Sequence, residues 1–173
     1  MRAYMLEGVR FRRIALVDSA VVTPWMPESN EHLKAHMDAY RTMPNSLFEA
    51  IVAADLREAT SPEMDEEAWE AYLSQWRGEE GKLAFLRNEE GLREWDTAEL
   101  EPRLGEVEVP ALVVWGEEDA WLDPSQADRL HKAFPNSRLR KVRGVGHFVP
   151  EDEPEELARE LAAFLSEDKE RTS

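Results

Sequence analysis

The sequence predicts an α/β fold: about three parallel strands flanked by helices, with an all-helical layer inserted after the first strand. Three observations predict it. The runs Ile14–Val17 and 111–115 are apolar at every position, as strands are when helices cover both faces of a parallel sheet. The stretch between them, 24–104, repeats its apolar residues at helical spacing. After the second run the order helix, strand, helix follows, the alternation of a parallel sheet.

The elements follow in order. A short helix over 2–7 opens the chain with no capping residue before it. Ile14–Val17 leads into Asp18, Ser19 and Ala20. In the insertion, Leu33, Met37 and Tyr40 line one helical face, and Leu47, Ile51 and Val52 another. Trp69, Leu73 and Trp76 follow, then Leu83, Leu86 and Trp95. Asn45 after Pro44 reads as a cap, and Gly78, Gly81 and Gly91 punctuate the later turns. Run 111–115 is entered through Pro110 and left through Gly116. Asp123, Pro124 and Gln126 make a helix start with an N-cap acid, Pro in the first turn and Gln three residues after the cap. Leu130 and Phe134 share that helix's face, and Pro135 ends it. Over 138–143, Leu139 and Val142 interleave with Arg138, Arg140, Lys141 and Arg143, the pattern of a charge-guarded edge strand. Pro154 opens a last helix with acids in its first turn and the stripe Leu157, Leu161, Phe164 and Leu165. The core thus comprises 1–23 and 105–166, the helical insertion 24–104, and 167–173 is a tail.

The 173 residues suit one domain and can bury roughly 70% of the unfolded chain's surface. Without Cys there are no disulfides and no thiolate metal sites. The formal net charge is −16, and 55–108 holds 17 acidic against 6 basic residues. Such a surface repels phosphate backbones, so nucleic acid is not an expected partner; it reads as a solvated helical face. No run reaches the ~18 apolar residues of a membrane span. Residues 1–22 carry charges through their middle, unlike a secretory signal, and a cytoplasmic setting is expected.

The chemistry falls at two strand ends. Asp119 lies just past the second strand, in Trp-Gly-Glu-Glu-Asp, and His147 just past the third, in Gly-Val-Gly-His. In an open parallel sheet ligands bind outside the carboxyl ends of the strands. Right-handed crossovers bring both residues to one rim. Taken singly, Asp119 reads as a turn cap and His147 as a loop histidine. Together, in this order, they read as the orienting acid and the base of a nucleophilic triad. Gly144 and Gly146 permit the tight turn that brings the ring into the open.

These segments carry a resemblance. The stretch 109–119, Val-Pro-Ala-Leu-Val-Val-Trp-Gly-Glu-Glu-Asp, resembles the acid-bearing strand of the α/β-hydrolases. Gly144-Val-Gly-His147, with Pro150, Glu151 and the helix begun at Pro154, resembles their terminal His segment. Arg13-Ile-Ala-Leu-Val-Asp-Ser19 resembles the strand before their helical cap, and the cap is similar to that of the esterase, epoxide-hydrolase and haloalkane-dehalogenase branch. The resemblance implies a partial α/β-hydrolase fold, an activated Ser or Asp nucleophile, His147 as base and Asp119 as its orienter. The implied substrate is a small, rather apolar ester, epoxide or halide, with no cofactor and no metal. The family's Gly-x-Ser-x-Gly elbow occurs nowhere in the chain. The expectation is therefore a C-terminal portion completed by an N-terminal half. The other readings are a non-catalytic remnant binding through its acidic cap, or a truncated product.

Minor candidates stand beside these. Ser19 is a substitute nucleophile and Asp18 an alternative acid. His32 and His36, at i and i+4, suit a metal pair or a solvated helix face. Trp25, Trp69, Trp76 and Trp95 suit either a substrate pocket or the core of the helical layer. The apolar strand Ile14–Val17 has no guard, so a dimer or partner contact along 14–20 is expected.

Overall fold

The computed structural model describes residues 1–60 and 64–167. Its three strands, β1 (Ile14–Val17), β2 (Ala111–Gly116) and β3 (Ser137–Val142), form one parallel sheet in the order β1-β2-β3. Ile14 stands against Ala111, and Ala111 against Ser137. The pleat of β2 divides the core. Ala111, Val113 and Trp115 pack on one side with Leu104, Val107, Leu130 and Phe134. Leu112 and Val114 pack on the other with Val142, Val145, Leu157 and Phe164. A strand buried on both faces must be apolar throughout, and β2 is.

The same expectation holds less well for β1. Its residues are only half-buried and Ala15 is exposed, because among the described residues β2 alone pairs with it. β3 is the guarded edge. Arg140 reaches Glu156 through Nε at 2.9 Å, and Lys141 reaches Asp128 at 2.6 Å. It ends one residue earlier than the charge pattern suggests, with Arg143 already in the turn before Gly144.

The flanking helices are α1 (Arg2–Met5), α8 (Ser125–Ala133), α9 (Val149–Asp152) and α10 (Pro154–Ser166). The inserted layer consists of α2 (Glu28–Ala35), α3 (Met37–Thr42), α4 (Asn45–Ala59), α5 (Glu66–Ser74), α6 (Gly78–Gly91) and α7 (Trp95–Ala98), then a 3-10 turn over Glu101–Glu106. Its own core joins Leu33, Phe48, Val52, Leu56, Trp69 and Leu86.

Several local expectations need correction. The buried stripe of α4 is Phe48, Val52, Leu56 and Ala59, whereas Leu47 and Ile51 are 58% and 40% exposed. Each lies one residue, about 100°, before a stripe residue, so the helix turns it off the buried face. Asn45 does not cap α4; it is the first helical residue. Asp65 does cap α5, accepting from Glu67 N–H at 3.0 Å. Asp123 stands one residue before the cap position of α8, which Pro124 takes, and its carboxylate accepts from Ser125 N–H at 2.8 Å. Gln126 does not complete a capping box: its amide donates to Pro24 O at 2.9 Å and ties α8 to the start of the insertion. The expected tail, 167–173, lies outside the described residues except for Glu167, which Arg13 and Arg138 hold. No helix of the described residues is long and apolar enough to cross a membrane.

Candidate active site

Backbone contacts at the carboxyl ends of β2 and β3 set the site. Past Gly116, the N–H groups of Glu117 and Glu118 donate to Val142 O and Val145 O, both at 2.9 Å. The acid turn and the histidine turn are thereby stitched together. His147 N–H in turn donates to Ala59 O at 2.9 Å, at the end of α4. Three backbones meet here with no room for side chains. A Cβ on Gly116 would stand 2.5 Å from Val145 O and collide with Gly146 O, and one on Gly146 would stand 2.5 Å from Ala59 O. Gly144 supplies the turn itself, at φ +73.

Asp119 and His147 are brought together. Asp119 is 5% exposed. Its Oδ1 accepts from the N–H groups of Trp121 and Leu122, both at 2.9 Å, and its Oδ2 lies 2.9 Å from His147 Nδ1. Both oxygens are engaged, so the carboxylate has one orientation. With Nδ1 bound to Asp119, His147 Nε2 has no hydrogen-bond partner among the described residues. Trp121 packs on the imidazole at 5.0 Å between ring centroids, and Phe148 meets it edge-on at 5.5 Å.

Asp18, at the end of β1, sits beside this pair but is not bound to the histidine. Its backbone takes φ +38, a left-handed conformation that Asp tolerates better than most residues. Its Oδ1 accepts from Gly116 N–H at 2.8 Å, while Oδ2 is buried with no partner. Burial pushes its carboxyl up to about 7 against the lowering effect of the Gly116 N–H; Asp119 raises it further and His147 lowers it. Ser19 Oγ donates to Val17 O at 2.9 Å.

A cavity of about 420 Å³ lies between this rim and the helical layer, lined by Asp18, Trp121, His147 and Phe148 from the rim side. A second, of about 580 Å³, shares Asp55 and Trp121 with it. Three of the four tryptophans divide between the two readings, and Trp95 fits neither. Trp25 and Trp76 line the smaller cavity. Trp69 is buried in the layer's core under the Arg57 guanidinium, 3.6 Å from the ring centroid, and Trp95 is 61% exposed. The rings of His32 and His36 lie 4.5 Å apart and tilted by 52°, and among the described residues no group of three or more potential ligands stands near enough to hold a metal.

Sequence reasoning passed over Trp121, Phe148 and Gly116. The signal for Gly116 was its place where an acid turn leaves a fully buried strand. Trp121 and Phe148 are aromatic residues within two positions of Asp119 and His147, which in a strand-end loop places them beside the same ligand space.

Comparison with known proteins bears on the fold. The model of a family described as the alpha/beta hydrolase fold matches residues 4–154. An uncharacterized hydrolase of Bacillus subtilis, YugF, is 35% identical over 106 residues, which is 59% of this chain and 36% of that protein. Epoxide hydrolase 2 of Caenorhabditis elegans is 29% identical over 104 residues, 60% of this chain and 28% of its own length. The crystal structure of an alpha/beta hydrolase fold protein from Burkholderia ambifaria superposes with a TM-score of 0.86 at 27% identity, covering 92% of this chain and 59% of that one. The chain spans about a third of the length of these curated relatives.

Proposed function

The chain belongs to the α/β-hydrolase fold family, and from that premise we propose that it carries the acid and base of a hydrolytic site for a small, rather apolar ester, epoxide or halide. The observation that carries this reading is the 2.9 Å contact of Asp119 Oδ2 with His147 Nδ1. It holds the tautomer that leaves Nε2 able to accept a proton, and it stabilises the imidazolium once formed. With a Ser nucleophile, Nε2 takes the hydroxyl proton and returns it to the leaving alkoxide; with an Asp nucleophile, whose carboxylate has no proton to give, Nε2 takes the proton of the water that hydrolyses the ester intermediate. The six aromatic rings of the smaller cavity favour an apolar substrate body. The resemblance to an epoxide hydrolase supports the same substrate range. The attacking Ser or Asp and the oxyanion donors come, in this proposal, from a segment outside these 173 residues, because none of the serines lies in a Gly-x-Ser-x-Gly elbow.

The lack of an elbow also favours a second reading, a non-catalytic binding protein. One experiment separates the two. The segment of the Burkholderia ambifaria protein that this chain does not cover is fused upstream of it, and p-nitrophenyl acetate hydrolysis is followed. The catalytic reading expects slow background hydrolysis from the chain alone, unchanged by His147→Ala. From the fusion it expects an acylation burst that His147→Ala abolishes. A well-folded fusion that hydrolyses no faster than the chain alone favours the binding reading.

A further inference from the structure

The cavity between rim and helical layer has a composition that the proposed hydrolysis does not call for. Six aromatic rings face it: Trp25, Tyr72, Trp76, Phe85, Trp121 and Phe148. Three carboxyls line it as well, Asp18 from the rim, Asp55 from α4 and Glu89 from α6. Neither Lys nor Arg is among the lining residues. Asp18 is 7% exposed and Glu89 5%. Asp18 Oδ2 is buried with no partner at all. Glu89 Oε2 takes only the Asn30 amide. Lys34 Nζ donates to the backbone carbonyls of Glu89, at 3.1 Å, and Leu92, and makes no hydrogen bond to the carboxyl among the described residues, though its charge still acts on it. Burial pushes up all three carboxyls; Ser29 offsets it in part at Asp55, and at Glu89 the Asn30 amide and Lys34 oppose it while the charge of Asp55 adds to it.

Carboxylates withdrawn from water with no cation facing them across the cavity are costly, and aromatic faces do not repay that cost to a neutral ligand or an anion. Both features are repaid by one ligand class. A soft organic cation lays its positive charge on ring faces and neutralises a carboxylate at the same time. We propose that this cavity binds an organic cation, so that the substrate carries an ammonium group held between the aromatic rings and the carboxyls of Asp55 and Glu89. The naming of the ligand as substrate rests on the hydrolase reading; the cation preference does not. The ester or other reacting group then points down to His147, and the cationic end lies up against α4 and α6.

The test uses the chain as it stands, with tryptophan fluorescence as the readout, since Trp25, Trp76 and Trp121 line the cavity. The probes are acetylcholine, its uncharged carbon isostere 3,3-dimethylbutyl acetate, and the anion monomethyl succinate, titrated at pH 8. The expected result is acetylcholine bound at least tenfold tighter than the isostere, with no saturable response to the anion. Glu89→Gln, and separately Asp55→Asn, should cut the cation's advantage severalfold while the isostere's affinity stays put. Should Glu89→Gln fail to fold, by circular dichroism, Asp55→Asn, at a less buried position, carries the comparison. Equal affinity for the cation and its isostere overturns the proposal, as does tighter binding of the anion or no binding by the folded chain. The hydrolase reading is judged separately, since the fusion can fail to hydrolyse p-nitrophenyl acetate while the chain keeps its preference for the cation.

Discussion

Two aspartates close neighbouring strands of one sheet, and they stand in opposite conditions. Asp119 follows the central strand β2 and Asp18 the outer strand β1, and both are more than nine-tenths buried. Asp119 has three partners: two backbone N–H groups and an imidazole. Asp18 has one, and its second oxygen is stranded. The difference comes from position. A turn leaving a central strand meets a neighbouring turn on either side, and that of β3 delivers His147. A turn leaving β1 has described neighbours on one side only. Equal burial therefore leaves one side chain with both oxygens hydrogen-bonded and the other with a stranded oxygen and a carboxyl that burial pushes up to about 7.

The largest expected effect tests the role of Asp119. In the fusion protein, Asp119→Asn should lower kcat on p-nitrophenyl acetate by about 10³-fold or more, because Asn presents the wrong partner to Nδ1. Asp18→Asn should change it by less than tenfold. Comparable losses in both variants would erase the distinction drawn between the two residues.

The second test concerns stability, with the sign following from the raised carboxyl of Asp18. In the unfolded chain it ionises near 3.8 and in the fold near 7. Below 3.8 it is protonated in both states and has no effect. As pH rises through this window the unfolded state loses its proton first, so folding weakens, and above 7 the penalty levels off. Its ceiling is about 4 kcal/mol, from roughly 1.4 kcal/mol per pH unit. Asp18→Asn keeps the acceptor for Gly116 N–H and tolerates φ +38. It should therefore raise stability in urea melts by about 1–3 kcal/mol at pH 8 and leave it nearly unchanged at pH 4. A pH-independent change would mean that Asp18 does not carry the proton.

A third test addresses the crowded junction on which the ordered side depends. Gly116→Ala places a methyl group against the Val145 and Gly146 carbonyls, and it should cost about 1–3 kcal/mol by the scale of overpacked sites. Gly91→Ala, which meets nothing within 4 Å, serves as the control and should be neutral or mildly stabilising.

The smallest effect concerns what lies beyond β1. We propose that the chain associates, with itself or with a partner, along residues 14–20, where the edge is apolar and half-buried. Light scattering at micromolar concentration should give a mass above 19.9 kDa, and Leu16→Lys should return it toward the monomer. A monomer whose amides at 14–20 are already protected from exchange would contradict the idea.

The sequence alone made much of this legible because the signals are local. Apolar runs bounded by Pro110 and Gly116 mark a buried strand, Asp123 and Pro124 mark a helix start, and Gly144-Val-Gly-His147 marks a turn that presents a ring. Strand ends share a rim by topology, so Asp119 and His147 could be paired before any distance was known. Tertiary structure alone decided which face of α4 is buried, which tryptophans line the cavity, and how Asp18 differs from Asp119. Those outcomes depend on groups far apart in the chain: Gly116 reaches back 98 residues to Asp18, and Trp121 reaches 66 to Asp55. Local spacing carries periodicity and turn chemistry. Desolvation and hydrogen-bond supply are properties of the packed neighbourhood, and that neighbourhood exists only once the strands and the helical layer have closed on one another.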